Sequence, residues 1–133
     1  MRPEDLDLLR AVGAPSLTPD GTRAVVPVLR PDLESDSYVG GLWVVPTGGG
    51  PGRRLTVGHR DTVPTVSPDG RRVAFLRAPE DGPAQIHVTG LDGGEPVRLT
   101  DHPLGAGAPV WSPVGSRIAY TARVPEPGAM PTI

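Results

Sequence analysis

The chain has 133 residues, with 13 arginines and no lysine, 15 acidic residues, a formal net charge of −2 and no cysteine. Disulfide and thiolate chemistry are excluded, and no basic face with interleaved aromatics invites nucleic acid. No apolar run is long enough to cross a bilayer or to act as an export leader, so the cytoplasm is the expected compartment and no membrane partner is expected.

Pro3 to Val12 reads as one short helix. Proline suits the first helical position, Glu4, Asp5 and Asp7 favour the positive end of the helix dipole, and Gly13 stops the turn. Leu6, Leu9 and Val12 fall roughly on one face, so the helix needs something to dock on. From Pro15 the chain then says nearly the same thing three times. Pro15-Ser16-Leu17-Thr18-Pro19-Asp20-Gly21 returns from Pro64 as Pro-Thr-Val-Ser67-Pro68-Asp69-Gly70, and from Pro109 as Pro-Val-Trp111-Ser112-Pro113-Val114-Gly115. The steps are 49 residues (Pro15 to Pro64) and 45 residues (Pro64 to Pro109).

In the middle copy Thr62–Ser67 reads as a first strand, turned by Pro68-Asp69-Gly70 into a second, Arg72–Arg77. Val73 and Phe75 lie on one side of that second strand, with Ala74 and Leu76 on the other. Two-sided apolarity of this kind marks a strand buried between layers. Ala84–Gly90 reads as the third strand, Asp92-Gly93-Gly94 as a hairpin turn, and Pro96–Thr100 as the fourth strand. The outer half recurs too: Leu42-Trp43-Val44-Val45 with Arg54-Leu55-Thr56 matches Ile86-His87-Val88-Thr89 with Arg98-Leu99-Thr100. Arg30 to Gly41 reads as an irregular exposed loop. The third copy stops after its second strand, near Ala122, and the proline-rich tail from Pro125 to Pro131 does not continue a ladder.

A period of this size, built from strand formers and tight turns, specifies a β-propeller. The expected fold is therefore all-β, a partial β-propeller of about two and a half four-stranded antiparallel blades preceded by a short N-terminal helix. Residues 1–13 hold the helix, 14–56 the first blade, 57–100 the second, and 101–133 the first half of a third with the tail. Glycine and proline, 18 residues each, would otherwise mark a low-complexity chain; here they sit at recurring turns. Such a set leaves open flanks and strand edges, so the chain reads as part of a longer protein, as the ordered remnant of one, or as a fragment that closes a ring with copies of itself.

The Ser67-Pro68-Asp69-Gly70 turn before Arg71-Arg72-Val73-Ala74-Phe75, and the close from Gly93 to Thr100, resemble the WD-like repeats of TolB-type propellers. The opening is more specific. Pro3-Glu4-Asp5-Leu6, Leu17-Thr18-Pro19-Asp20-Gly21, Arg30-Pro31-Asp32-Leu33-Glu34 and Leu42-Trp43-Val44-Val45 together resemble the N-terminus of bacterial serine peptidases of the prolyl oligopeptidase family, in the acylaminoacyl-peptidase-like branch. The resemblance covers essentially the whole chain. It implies a propeller that gates and orients short peptides for a C-terminal α/β-hydrolase domain carrying a Ser-Asp-His triad, with the N-terminal helix packed on that domain. The hydrolase domain is not in this sequence: no Gly-x-Ser-x-Gly elbow occurs. The third repeat departs from the pattern at Val114. A stand-alone TolB-like module that binds protein partners is the alternative.

No residue stands out as catalytic, cofactor-binding or metal-binding, and no cofactor is expected. Ser67 and Ser112 belong to turns, and Asp69 near Ser67 fits local hydrogen bonding better than a triad. His59 and His102 sit at nearly equivalent positions after Leu-Thr closes and read as inter-blade loop residues, because a metal site needs further ligands. His87 reads as a half-buried packing residue. Asp32, Glu34 and Asp36 alternate as in calcium loops but lack the glycine and distant glutamate such loops require. Trp43 and Trp111 read as repeat-equivalent packing aromatics. Arg54 and Arg98 are expected to pair with acidic side chains, Asp69 among the candidates.

Overall fold

The structure, a computed structural model, describes residues 10–11, 13–34, 36–123 and 125. Eleven strands form among them and no helix. Most of the expected N-terminal helix, and the tail beyond Pro125, lie outside the described residues. Arg10 and Ala11, which the helix reading included, instead form a short strand.

Nine strands fall into two groups within one sheet, five in the first and four in the second, and the remaining two form a hairpin of their own. In the first, β1 (Arg10–Ala11) and β2 (Ser16–Leu17) both pair with β3 (Arg23–Asp32), which pairs with β4 (Ser37–Pro46), which pairs with β5 (Arg53–Arg54). In the second, β6 (Arg60–Val66), β7 (Arg72–Ala78), β8 (Gln85–Gly90) and β9 (Gly93–Arg98) follow in order. One parallel bridge, Gly40 to Arg60, links the units. The hairpin β10 (Val110–Trp111) and β11 (Ile118–Ala119) opens the third copy of the repeat.

The recurring turns close in the same way. Each polar residue before the proline accepts, through its carbonyl, the N–H of the glycine three residues on: Gly21 to Thr18 at 2.8 Å, Gly70 to Ser67 at 2.9 Å and Gly115 to Ser112 at 2.9 Å. In the first two turns an aspartate completes an Asx-type lock. Asp20 accepts from the Thr18 hydroxyl at 2.6 Å and the Thr22 N–H at 3.0 Å; Asp69 accepts from the Ser67 hydroxyl at 2.6 Å and the Arg71 N–H at 2.9 Å. Those bonds favour the ionised form. They hold Asp20 at about 2, led by the Thr18 hydroxyl, and hold Asp69 below its ordinary value, led by Ser67.

Two readings of irregular structure are corrected. The Arg30–Gly41 segment is the far end of a hairpin of two ten-residue strands in which Asp32 lies opposite Ser37. Pro27 and Pro31 conceal it in the sequence, yet β3 tolerates Pro27 because of where the ring nitrogen falls. Its cross-strand neighbour Leu42 directs its own N–H and C=O to Thr56 and Leu55 on the far side. The Pro27 nitrogen therefore faces the other edge, between the stretches paired with β1 and β2, where no ladder bond is lost. The outer turn of the second unit also differs. Gly90 pairs with Gly93, so the two-residue turn is Leu91-Asp92, and both glycines belong to strands.

The core lies between the two units. Val25, Leu42 and Val44 of the first pack with Val73, Phe75 and Leu91 of the second, and Leu55 and Val66 close its rim. Val73, Ala74 and Phe75 are all fully buried, so β7 is covered on both faces as its apolarity requires. Polar tethers span the same boundary. Arg53 donates to the Leu91 carbonyl at 2.6 Å, and the Val66 N–H donates to the Ser16 hydroxyl at 2.9 Å. The next boundary repeats the device: the Trp111 indole donates to the Thr65 carbonyl at 2.8 Å, and Arg72 donates to the Gly115 carbonyl at 2.8 Å with its guanidinium 4.8 Å from the Trp111 ring centroid. The first strands of the three copies, β2, β6 and β10, thus lie in succession.

Candidate functional site

The chemistry-bearing side chains gather where the connection from β5 to β6 meets the ends of β7 and β8. The Leu-Thr closes of the sequence explain its floor. The Thr56 hydroxyl accepts the Leu42 N–H at 2.9 Å and donates to Asp61 at 2.7 Å; the Thr100 hydroxyl accepts the Ile86 N–H at 2.9 Å and donates to Gln85 at 2.7 Å. A β-strand N–H left over by a short outer strand is satisfied in both units by one buried threonine.

Asp61 is completely buried and lies directly across from Arg77 on β7. Arg77 donates to it from Nε at 2.8 Å and from Nη2 at 3.1 Å, a bidentate pair joined by the Thr56 hydroxyl. Gly58 makes room for the pair. A Cβ there would sit 2.4 Å from Asp61 Oδ1 and 2.7 Å from Arg77 Nε. Nothing periodic marks Asp61 in the sequence; the available signal is a carboxylate inside a strand that the repeat demands be buried.

Above this pair opens a groove of about 520 Å³ bordered by Arg77, His87, Arg98, Glu80, Asp81 and Asp101. His87 stacks on Phe75, with ring centroids 5.9 Å apart, as a packing residue does. Burial, aided by the nearby Arg77 charge, holds His87 below the ordinary imidazole value and so neutral near pH 7. Arg98 meets Asp101 at 3.8 Å, the acidic pairing expected of it. Arg54 lies over Trp43 instead, with its guanidinium carbon 5.6 Å from the ring centroid, and Asp69 is occupied by its own turn.

The remaining candidates separate. His102 hydrogen-bonds Tyr120 at 2.9 Å, while His59 offers its carbonyl to the Gly40 N–H at 2.9 Å. Among the described residues no group of three or more His, Cys, Asp and Glu side chains gathers as a metal site. Trp43 stands on a third strand and Trp111 on a first strand, so the two are not repeat equivalents; only Trp111 bridges units. Ser67 is buried and donates its hydroxyl hydrogen bond to Asp69. Among the described residues no serine hydroxyl is hydrogen-bonded to a histidine. No helix among them is long and apolar enough to cross a membrane.

No protein-family model matches the chain. It is 38% identical over 124 residues to the uncharacterized peptidase YuxL of Bacillus subtilis, covering 92% of this chain and 19% of that protein. It is 31% identical over 128 residues to dipeptidyl-peptidase 5 of Porphyromonas endodontalis, covering 96% and 18%. The chain therefore spans about a fifth of the length of the curated relatives it matches. Among solved structures it superposes on an acylaminoacyl peptidase of Pyrococcus horikoshii with a TM-score of 0.68 at 20% identity, covering 83% of this chain and 17% of that one. The β-propeller domain of the trilobed protease of Pyrococcus furiosus gives 0.66 at 18%, covering 85% and 33%. A putative TolB of Agrobacterium tumefaciens gives 0.62 at 27%, covering 79% and 36%.

Proposed function

We infer that this chain, whose likenesses are those of the N-terminal propeller portion of a prolyl oligopeptidase-family peptidase, gates and orients short peptides for an α/β-hydrolase domain carried elsewhere in the same polypeptide. The observation that carries this reading is the 38% identity to a peptidase along 92% of the chain. In this reading residues 14–56 and 57–100 are successive blades and 101–133 begin a third. The strands β2, β6 and β10 are the innermost of each, set side by side by the Ser16–Val66 and Thr65–Trp111 bonds. Propeller blades set around an axis leave a central channel, and in this reading that channel admits extended peptides and excludes folded proteins. The hydrolase domain and short peptides are the partners, the cytoplasm is the compartment, and open strand edges let such a segment self-associate.

The test uses the full-length protein. It should cleave chromogenic peptides and leave a folded protein of the same sequence content intact, and a serine-directed fluorophosphonate should label it outside this chain. Labelling within residues 1–133, or equal cleavage of folded and unfolded protein, defeats the reading. The superposition on a TolB structure favours a second reading, a binding module for protein partners. A full-length protein that no fluorophosphonate labels and that co-purifies with one stable partner would select it.

A further inference from the structure

Beside the first unit lies a cavity of about 250 Å³ that the gating role does not use. Its wall comes from β3, β4 and the connection from β5 to β6. Arg30, Trp43, Arg54 and His59 supply the polar and aromatic part, Val28 and Val39 the apolar part, and no carboxylate side chain lines it. The Arg54 guanidinium carbon lies 5.6 Å from the Trp43 ring centroid, within cation–π range, and its planar fork of donors matches an oxyanion. Among the described residues neither Arg30 nor Arg54 forms an ion pair.

The matching position on the second unit has the opposite character. His87 stands there for Trp43 and Arg98 for Arg54, but Glu80, Asp81 and Asp101 line the groove and Arg98 is paired with Asp101. One unit thus brings its own anions to the site, and the other lines its cavity with two arginines, Arg54 over the Trp43 ring and Arg30 opposite Val39 on the neighbouring strand, and no carboxylate. Like charges held at one cavity are relieved by a bound anion, and a planar arginine gives that anion charge-assisted hydrogen bonds.

We propose that the Arg30–Trp43–Arg54 cavity binds a small ligand bearing an oxyanion, either a carboxylate or a phosphate. The site stands independently of the peptidase reading. Calorimetric titration of the full-length protein at low salt with inorganic phosphate, with N-acetylglycine and with the neutral N-acetylglycinamide separates the two sources. Binding of phosphate alone assigns a phosphate ligand, and binding of N-acetylglycine assigns a carboxylate; the amide should not bind. Arg54→Gln and Arg30→Gln should each weaken the bound anion roughly tenfold or more. Arg54→Lys should fall between, because it keeps the charge and loses the fork, and Arg98→Gln should change nothing. Both arginines are exposed, so the variants should keep the melting temperature of the parent. Failure of both anions to bind, equal binding of the amide, or affinity that survives both arginine variants overturns the proposal.

Discussion

Replacing Arg77 with leucine probes the one fully buried charge of the described structure that has a bidentate partner. Leucine keeps apolar volume beside Phe75, whose ring centroid lies 5.4 Å from the guanidinium carbon, so the change removes the ion pair and that cation–π contact together, and the double variant separates the ion pair from the rest. In the parent, Asp61 is 0% exposed and accepts three hydrogen bonds, two from Arg77 and one from Thr56. Arg77→Leu leaves one. Removing a single partner of a buried pair costs about 3–5 kcal/mol, since the stranded carboxylate has neither water nor countercharge. The Arg77 side chain is 23% exposed, so water reaches that flank and the low end, about 3 kcal/mol, is expected. Asp61→Leu/Arg77→Leu removes both charges and should recover a large part of the loss, leaving a coupling energy of about 2 kcal/mol. Urea denaturation of the four proteins closes the cycle. The reasoning fails if Arg77→Leu lies within 0.5 kcal/mol of the parent, or if the double variant is as unstable as the sum of the singles.

Phe75→Ala empties the centre of the packing between the two units and should cost about 3–5 kcal/mol, read as a lower denaturation midpoint; a cost below 1 kcal/mol would mean the units do not share a core. Asp20 has a folded value near 2 against 3.8 ordinarily, so the stability it contributes is complete above about pH 4 and is lost as pH falls toward 2. Asp20→Asn should therefore flatten acid unfolding in that window, and a parallel pair of acid curves would reject the lock. Val114, 83% exposed, stands where the other turns hold aspartate, so Val114→Asp should raise the melting temperature by installing the missing Asx bonds to Ser112 and the Ser116 N–H; no gain would show that the third turn closes differently. Gly58→Ala should destabilise by an amount similar to Arg77→Leu, because its Cβ would displace the same pair, and normal stability would contradict the close approach.

What the sequence revealed was local. The Thr18–Gly21, Ser67–Gly70 and Ser112–Gly115 turns are written in contiguous residues, and their bonds span two to five positions, so their repetition was readable. The Leu-Thr closes were readable as a pattern but not as chemistry, since Thr56 serves Leu42 fourteen residues away. The β3–β4 hairpin was hidden because Pro27 and Pro31 argue against a strand unless the unpaired edge is known. Asp61 and Arg77 meet only once the register of β6 on β7 is set, with a bulge between Thr62 and Thr65 that no composition signals. The same holds for Arg54, whose partner is the ring across the strand pair rather than an acid.

A structure of the full-length protein, determined by crystallography or electron cryomicroscopy, tests the central claim most directly. The account predicts β2, β6 and β10 as adjacent innermost strands around an open axis, the Val25–Phe75 core between the first two units, and a hydrolase domain facing the mouth of that axis. Units that pair into a closed sandwich with no axial passage, or an axis that opens onto no second domain, would contradict it.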